Sequence, residues 1–425
     1  MIKIRPQNFN INLILIFVLV FLASCARQSN PDIGRGSTYQ FVEGYPELRF
    51  STVGFINEQG IPTLNITASI VYGSLIYKEV DSEQQANIGI EIRIVDMSES
   101  KENRSPVETK QYSYTFSQDD TNIINSQDSF DFQEQIEVSP GSYKIYFTVT
   151  DQHSGKTIAR TATSSIPDPN NNELALTEIR MLGKDMDASS PEWIPINTYD
   201  VTSAIDSLRF IFQVTNNKSE EPLSISSELV RFRSDSSIAR PMHFNNYSPS
   251  SITYKGVDYS EETIIQERQR QLLQEGSVLI EFRFAKQPRG NYRFRVQSDK
   301  EETQLFKARD FGVKSKNYPA LKTARELARP LAYLMNDKEH DALMSISNSD
   351  SLKKEIDRFW LKNIGNQNKA VNVLKMYYER VEAANKQFSS FKEGWKTDTG
   401  MIYILFGPPW QVEKSETNAM GLHLQ

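Results

Sequence analysis

Phe130-DFQEQIEVSPGSYKIYFTVT-Asp151 settles the fold class of most of the chain. Phe130 to Val138 alternates apolar with polar, Ser139-Pro140-Gly141-Ser142 interrupts it, and Tyr143 to Asp151 alternates again. A period of two places every second side chain on one face, as a half-buried strand requires. Pro presets one turn dihedral and Gly permits the positive one, while a Tyr just after the turn can anchor the strand corner. Earlier stretches behave alike: Ile88-GIEIRIVD-Met97 and Tyr112-SYTF-Ser117 also alternate. Clusters of Asn, Asp, Ser and Gly separate them, and no segment of convincing helical period intervenes.

The same pattern returns downstream. Ser277-VLIEFRF-Ala285 runs through Gln287-Pro288-Arg289-Gly290-Asn291 into Tyr292-RFRVQ-Ser298, echoing strand, Pro/Gly turn, Tyr and strand. Ser207-LRFIFQV-Thr215 is a further strand of this second region. Between the regions lies Ile166-PDPNNN-Glu173, whose two Pro and three consecutive Asn mark a boundary. The expectation is two tandem immunoglobulin-like β-sandwiches, at 39–166 and 173–315. Within the second, Tyr259-SEETIIQERQRQLLQE-Gly276 reads as a helical insertion or a long polar connection.

After Lys314 the period changes. Tyr318 to Ser345 reads as helical with a break at Pro330, and Ser351 to Leu361 as a second helix. The longest helix is expected over Asn368 to Phe391. There Val371, Leu374, Tyr378, Val381, Asn385 and Phe388 form one apolar stripe. The fold class is therefore mainly β followed by α+β, with the last module spanning 318–425. A chain of 425 residues agrees with about three domains.

The N-terminus carries a different kind of information. Lys3 and Arg5 precede the apolar run Ile11-NLILIFVLVF-Leu22. That run is short for a bilayer span and suited to a signal peptide over 1–24. Leu22-Ala23-Ser24-Cys25 follows at once and resembles the lipobox of bacterial lipoproteins, and Cys25 is the single cysteine of the chain. The resemblance implies lipidation of Cys25 and attachment to a membrane, with residues 25–38 as a polar tether. Ala26 is not the Asp of inner-membrane retention. Arg27-Gln28-Ser29-Asn30 lacks the acidic run that resembles the surface-export signal of Bacteroidetes lipoproteins, so the resemblance implies the outer membrane, facing the periplasm. The alternative is an ordinary signal peptide with an incidental Cys.

Glu393-GWKTDTGMIYILFGPPWQ-Val412 packs two Trp, two Pro and three Gly around one Asp. From about Phe359 to Val412 the chain resembles the GWxTD domain, found at the C-terminus of many Bacteroidetes lipoproteins. The resemblance rests on Phe359-Trp360, Tyr377-Tyr378-Glu379-Arg380, Ala384-Asn385, Phe388 and Gly394-Trp395-Lys396-Thr397-Asp398. Gly400, Ile402-Tyr403-Ile404 and Gly407-Pro408-Pro409 complete it. The family carries Arg on both sides of the glycine, where this chain has Thr399 and Met401. An anion-binding role for those arginines therefore does not carry over. The family domain also continues past the Gly-Pro-Pro, so a C-terminus at Gln425 reads as a shortened domain.

From the residues themselves, Gly394 is expected to end the long helix in a left-handed conformation. Asp398 and Gly400 suit a turn into a strand at Met401 to Phe406, which Gly407-Pro408-Pro409 stops, with Trp395 and Trp410 flanking the hairpin. The motif then reads as architectural. The other reading is a ligand groove of Gly394, Trp395, Thr397, Asp398, Gly400, Tyr403, Gly407, Pro408 and Pro409, with Trp395 stacking on the ligand and Asp398 bonding to it.

Catalysis finds few candidates. His153, His243, His340 and His423 are scattered without metal-ligand spacing, so no metal or cofactor is expected. No nucleophile elbow or phosphate-binding glycine loop is present. Asp398 as a hydrolase acid or base needs a partner carboxylate, for which Glu393 and Asp357 are the guesses. Lys338-Glu339-His340-Asp341 reads as a solvated helix face. The net charge is −6, and loss of Lys3 and Arg5 with residues 1–24 would leave 46 basic against 54 acidic residues. No basic block interleaves with aromatics, which argues against nucleic acid. The sequence thus points to a lipid-anchored, non-catalytic envelope interaction or scaffold protein with a protein partner. A carbohydrate- or peptide-binding module is the alternative, and a hydrolase the second alternative.

Overall fold

In the computed structural model, alternation has become strand wherever a partner ladder exists. The structure describes residues 32–36, 41–98, 105–118, 128–168, 170–171, 174–186, 191–217, 222–239, 256–273, 275–298 and 305–409. The signal peptide, Cys25, His243, Trp410 and His423 lie outside them. The chain is mostly β in several sheets with a C-terminal helical region, and Asp32–Gly407 forms one compact unit.

The first β region places β2 (Leu48–Ile56), β3 (Pro62–Val71) and β7 (Ser129–Glu137) in one antiparallel sheet. β4 (Lys78–Val80), β5 (Glu83–Asp96), β6 (Pro106–Gln118), β8 (Gly141–Asp151) and β9 (Thr157–Ile166) form another. Both sheets feed one core, with Phe50, Ile66, Ile90, Phe132 and Phe147 at its centre. β8 alternates buried and half-exposed along its length, as the period-two pattern dictates. β3 is buried at nearly every position. Its polar face is covered too: Ser51 Oγ and Thr67 Oγ1 donate to Asn197 Oδ1 of the second region at 2.6 and 2.9 Å.

The second region repeats the plan. β10 (Leu174–Leu176), β11 (Arg180–Lys184), β12 (Ile194–Pro195), β14 (Ser207–Asn216) and β17 (Gly276–Ala285) share one sheet. The other holds β1 (Ile33–Gly34), β13 (Asp200–Thr202), β15 (Leu223–Ser234), β16 (Val257–Leu272), β18 (Gly290–Ser298) and β19 (Phe306–Lys314). Phe210, Phe212, Phe282, Phe294 and Phe311 pack in the core between them. The two Pro/Gly corners match in geometry. Tyr143 OH donates to Ser139 O at 2.7 Å, and Tyr292 OH to Pro288 O at 2.6 Å.

Two expectations are corrected here. The stretch 259–276, read as a helical insertion or connection, lies for the most part in the edge strand β16, paired along β15 from Leu223↔Leu272 to Ser234↔Val257, and Gly276 opens β17. Its composition favours a helix, but β15 offers a ladder of unpaired backbone groups, and that tertiary opportunity overrides a weak propensity. Residues 32–36, placed in the polar tether, instead pair with the second region. Ile33 and Gly34 run parallel to β19, and Lys307 holds Asp32 at 3.0 Å.

The helical region comprises α1 (Ala324–Ala328), α2 (Asp337–Ser345), α3 (Ser349–Ile364), α4 (Gln367–Phe388) and α5 (Asp398–Phe406). Single 3-10 turns lie at Arg329–Tyr333 and Gly394–Lys396. Capping boxes start α1 at Thr323/Glu326 and α2 at Asn336/Glu339, each satisfying two otherwise orphaned N–H groups. Pro330 sits in the turn after α1, where a break was expected. The buried stripe of α4 is Ala370, Tyr377, Tyr378, Val381, Ala384 and Asn385. Val371, assigned to the stripe, is exposed. Trp360 and the Tyr377–Tyr378 pair meet edge-on in this core.

Met401–Phe406, expected as a strand, is helical. Thr397 caps α5, its hydroxyl accepting from Gly400 N at 3.0 Å and donating to Gly394 O at 2.7 Å. A satisfied N-cap outweighs the β preference of a short apolar run. Nor does Gly394 terminate the long helix. α4 ends at Phe388 with Ser389 extended, and Gly394 opens the following turn without a positive φ.

Candidate functional site

Gly394 is needed for close approach. A Cβ there would lie 2.0 Å from Ala384 O on α4, and one on Gly400 would lie 2.0 Å from Gly394 O. The two glycines let α4, the motif turn and α5 stack backbone to backbone. Trp395 then points inward with 3% of its surface exposed. Its backbone N–H donates to Asn385 Oδ1 at 3.2 Å, its indole N–H to Glu393 Oε2 at 3.2 Å, and its carbonyl accepts from Tyr333 OH at 2.6 Å. The rings of Trp395 and Tyr333 meet edge-on at 6.1 Å. Asn385 extends the network, donating to Pro319 O at 2.9 Å and accepting at its own carbonyl from Tyr318 OH at 2.6 Å.

The remaining motif residues scatter around this latch. Asp398 is exposed at the first position of α5, where a carboxylate suits the positive end of the helix. Burial, and then the charge of Asp398, push the Tyr333 hydroxyl well above its ordinary range. Tyr403 is buried against Phe388 at 5.6 Å. Gly407 donates to Tyr403 O at 2.8 Å and closes α5 at a φ of 90°, with the Arg380 guanidinium beside it. Pro408 and Pro409 are exposed. The structure therefore brings Gly394, Trp395, Thr397, Gly400 and Tyr403 together as a packed unit, and no face of Trp395 is left open to stack on a ligand.

What does open to solvent is a neighbouring cleft of about 910 Å³. Arg231 and Arg233 on β15, Arg289 and Gly290 at the corner before β18, Lys314 at the end of β19, Arg329, and Lys392, Glu393 and Lys396 line it. Glu393, 4% exposed, sits among the cations. Arg289 grips one oxygen, and Lys396 lies 3.1 Å from the other. Burial alone would raise the Glu393 carboxyl, but Lys396, then Arg289 and Lys314, hold it at about 2. Burial pushes the Lys396 and Lys314 ammonium groups below their usual range. It does the same to Arg329, helped by the neighbouring Arg289. Lys314 reaches Asp200 at 3.3 Å and donates to Ser390 O at 2.7 Å.

These contacts also fasten the helices to the second β region. Lys392 holds Asp235 at 3.1 Å and donates to Ser237 O at 3.0 Å, while Ala239 N donates to Lys396 O at 3.0 Å. Of the two carboxylates guessed as partners for Asp398, Glu393 is committed to its cations, and Asp357 pairs with Lys353 on an exposed face of α3. His340 bonds to the carbonyls of Ala328 and Arg329. Among the described residues, no three His, Cys, Asp or Glu side chains group as a metal site. No described helix is long and apolar enough to cross a membrane. Sequence reasoning missed Arg231, Arg289, Lys314 and Arg329. They belong to four separated segments, and the one local signal was the run of charges just before Gly394.

Residues 290–423 match the GWxTD domain family, a stretch that covers β18 and β19 as well as α1 to α5. No curated protein matches the chain. Among solved structures, a red sea bream transglutaminase aligns at 10% identity over 65% of this chain and 32% of that one, with a TM-score of 0.19. A Salmonella alpha-2-macroglobulin reacted with methylamine aligns at 12% identity over 66% of this chain and 17% of that one, with a TM-score of 0.21. The C-terminal domain of the Streptococcus agalactiae AgI/II polypeptide BspA aligns at 10% identity over 62% of this chain and 99% of that one, with a TM-score of 0.17. The chain thus spans 32% and 17% of the first two structures it matches. Likenesses this distant carry no argument about what the protein does.

Proposed function

We propose that the chain is a lipid-anchored, non-catalytic interaction protein of a bacterial envelope, held at the outer membrane through Cys25 and facing the periplasm. Its body would be two tandem immunoglobulin-like sandwiches, a reading supported by two pairs of sheets, each pair sharing one core, and by the matching Tyr143 and Tyr292 corners. The observation that carries the non-catalytic reading is the internal engagement of the motif. Trp395 is buried, its polar atoms are all bonded within the fold, and Gly394 and Gly400 serve close packing. The hydrolase reading through Asp398 gains nothing from Glu393, whose carboxyl near 2 stays ionised and has no proton to lend at neutral pH. A ligand-binding module remains the second reading, favoured by the polar cleft beside the motif.

Fractionation of cells expressing the full chain tests the anchor. Wild type should pellet with the outer membrane, and Cys25→Ala should move to the soluble periplasmic fraction. An unchanged distribution of the variant overturns lipidation. The non-catalytic reading is tested separately with Asp398→Asn, expected to keep both phenotype and stability. Loss of phenotype in a fully stable variant would overturn it.

A further inference from the structure

The cleft beside the motif holds more positive charge than its own acids neutralise. Asp235 is taken by Lys392 at 3.1 Å, Glu261 by Arg233 at 2.9 Å, and Glu262 by Arg295 at 2.8 Å. Lys314 has Asp200 at 3.3 Å. Among the described residues, what remains is Glu393 against Arg231, Arg289, Arg329 and Lys396, a formal excess of three positive charges. Among the described residues, the Arg231 guanidinium donates to a single partner, the backbone carbonyl of Arg289, at 2.9 Å. The Arg329 side chain makes no hydrogen bond or ion pair among the described residues, although it is half-buried in the field of Arg289 and Glu393. Cations withdrawn from water without a counter-ion are costly, and guanidinium groups left in that state are poised for one.

We infer that this cleft binds a phosphate monoester, with Arg329 and Arg231 offering planar forks to its oxygens and Lys396 a further charge. The charge balance selects the class. A monoester carries about −1.5 to −2 at neutral pH, close to the local excess, whereas a single carboxylate would leave most of it uncompensated. The volume fits as well. About 910 Å³ is far more than a free phosphate needs and lies within the ~300–1,000 Å³ range of small-ligand sites. The phosphate would thus be borne on a larger polar body. Ser236, Ser260 and Thr263 line the same cleft and offer hydroxyls to that body. Gly290 keeps the floor open, since a Cβ there would lie 3.0 Å from Arg231 Nε. The site does not depend on the anchor or on a protein partner.

Calorimetric titration of the full chain in detergent micelles tests it. Glucose 6-phosphate and dihexanoyl phosphatidic acid serve as sugar-borne and lipid-borne monoesters, with glucose and glucuronate as neutral and carboxylate controls. At least one ester should bind, glucuronate roughly tenfold or more weakly, and glucose not at all. Binding of the lipid ester alone, the sugar ester alone, or both supports the site and identifies its source. Arg329→Gln and Arg231→Gln should each weaken the ester roughly tenfold or more while the thermal midpoint stays put, and Arg329→Lys should lose less. Should one Gln variant fail to fold, the other carries the test. Equal affinity for glucuronate, no binding of either ester, or full binding by a folded Arg329→Gln protein would overturn the inference.

Discussion

At Trp395 a large apolar surface and three polar contacts depend on one side chain and its backbone. Truncation to Ala removes the indole from beside Tyr333 and takes one of its two donors from Glu393 Oε2, leaving Lys396. Such a change typically costs ~3–5 kcal/mol, a large share of a domain's stability. Urea unfolding of Trp395→Ala should show that loss, whereas Asp398→Asn, exposed at a helix start, should cost only a few tenths of a kcal/mol. The reverse ranking would mean that the motif reads charge and does not serve the fold. Glu393 supplies a pH-dependent prediction. Its carboxyl falls from the ordinary 4.5 to about 2 on folding, so its contribution is present above about 4.5 and is lost as pH falls toward 2. The contribution is on the order of 3 kcal/mol. Glu393→Gln should flatten the stability–pH curve in that window, which acid titration of the unfolding midpoint would show. An unchanged slope there would refute the assignment.

Elements show where local signals compete. In α5 the segment Met401–Phe406 could serve either as strand or as helix, and the choice is made upstream by Thr397, whose hydroxyl joins Gly400 N and Gly394 O. Thr397→Ala should cost ~1 kcal/mol through the lost cap, read from thermal unfolding. Gly400→Ala should be far worse, because its Cβ would meet a carbonyl oxygen at 2.0 Å and backbone, unlike a flexible side chain, cannot move aside. Comparable effects of the two substitutions would show that the cap, and not the close approach, governs α5. In β16 the competition ended the other way. A segment rich in Glu, Gln and Arg became a strand because β15 presented an edge to pair with.

At the scale of the whole molecule, the two β regions are bonded to each other through buried polar groups. Gln213 donates to Ile56 O and accepts from Ile56 N, both at 2.7 Å, and Asn197 binds Ser51 and Thr67. Lys386 of α4 pairs with the buried Glu47 at 3.0 Å, tying the helices to the first region as well. Gln213→Ala would strand a buried N–H and C=O, at ~1–3 kcal/mol for each group left unpaired. The variant should unfold earlier, with the first and second β regions separating into distinct transitions by calorimetry. A single transition at the wild-type temperature would show that this interface adds no coupling.

The strands at Ile88–Met97, Phe130–Val138, Tyr143–Asp151 and Tyr292–Ser298 were legible from sequence because each buries one face, and burying one face imposes a period of two. The helices at 349–364 and 367–388 were legible for the corresponding reason, and the family signature stood in five consecutive residues. Other features arose only from tertiary contact. β16 needed the edge of β15, and residues 32–36 needed the edge of β19. Gly394 needed the backbone of α4 at its side. The cationic cleft needed four distant segments brought together around Glu393. A side chain's period along the chain is a local property and survives in one dimension. Which backbone edge lies beside it, and how many like charges face one carboxylate, are properties of distance, and only the folded chain sets them.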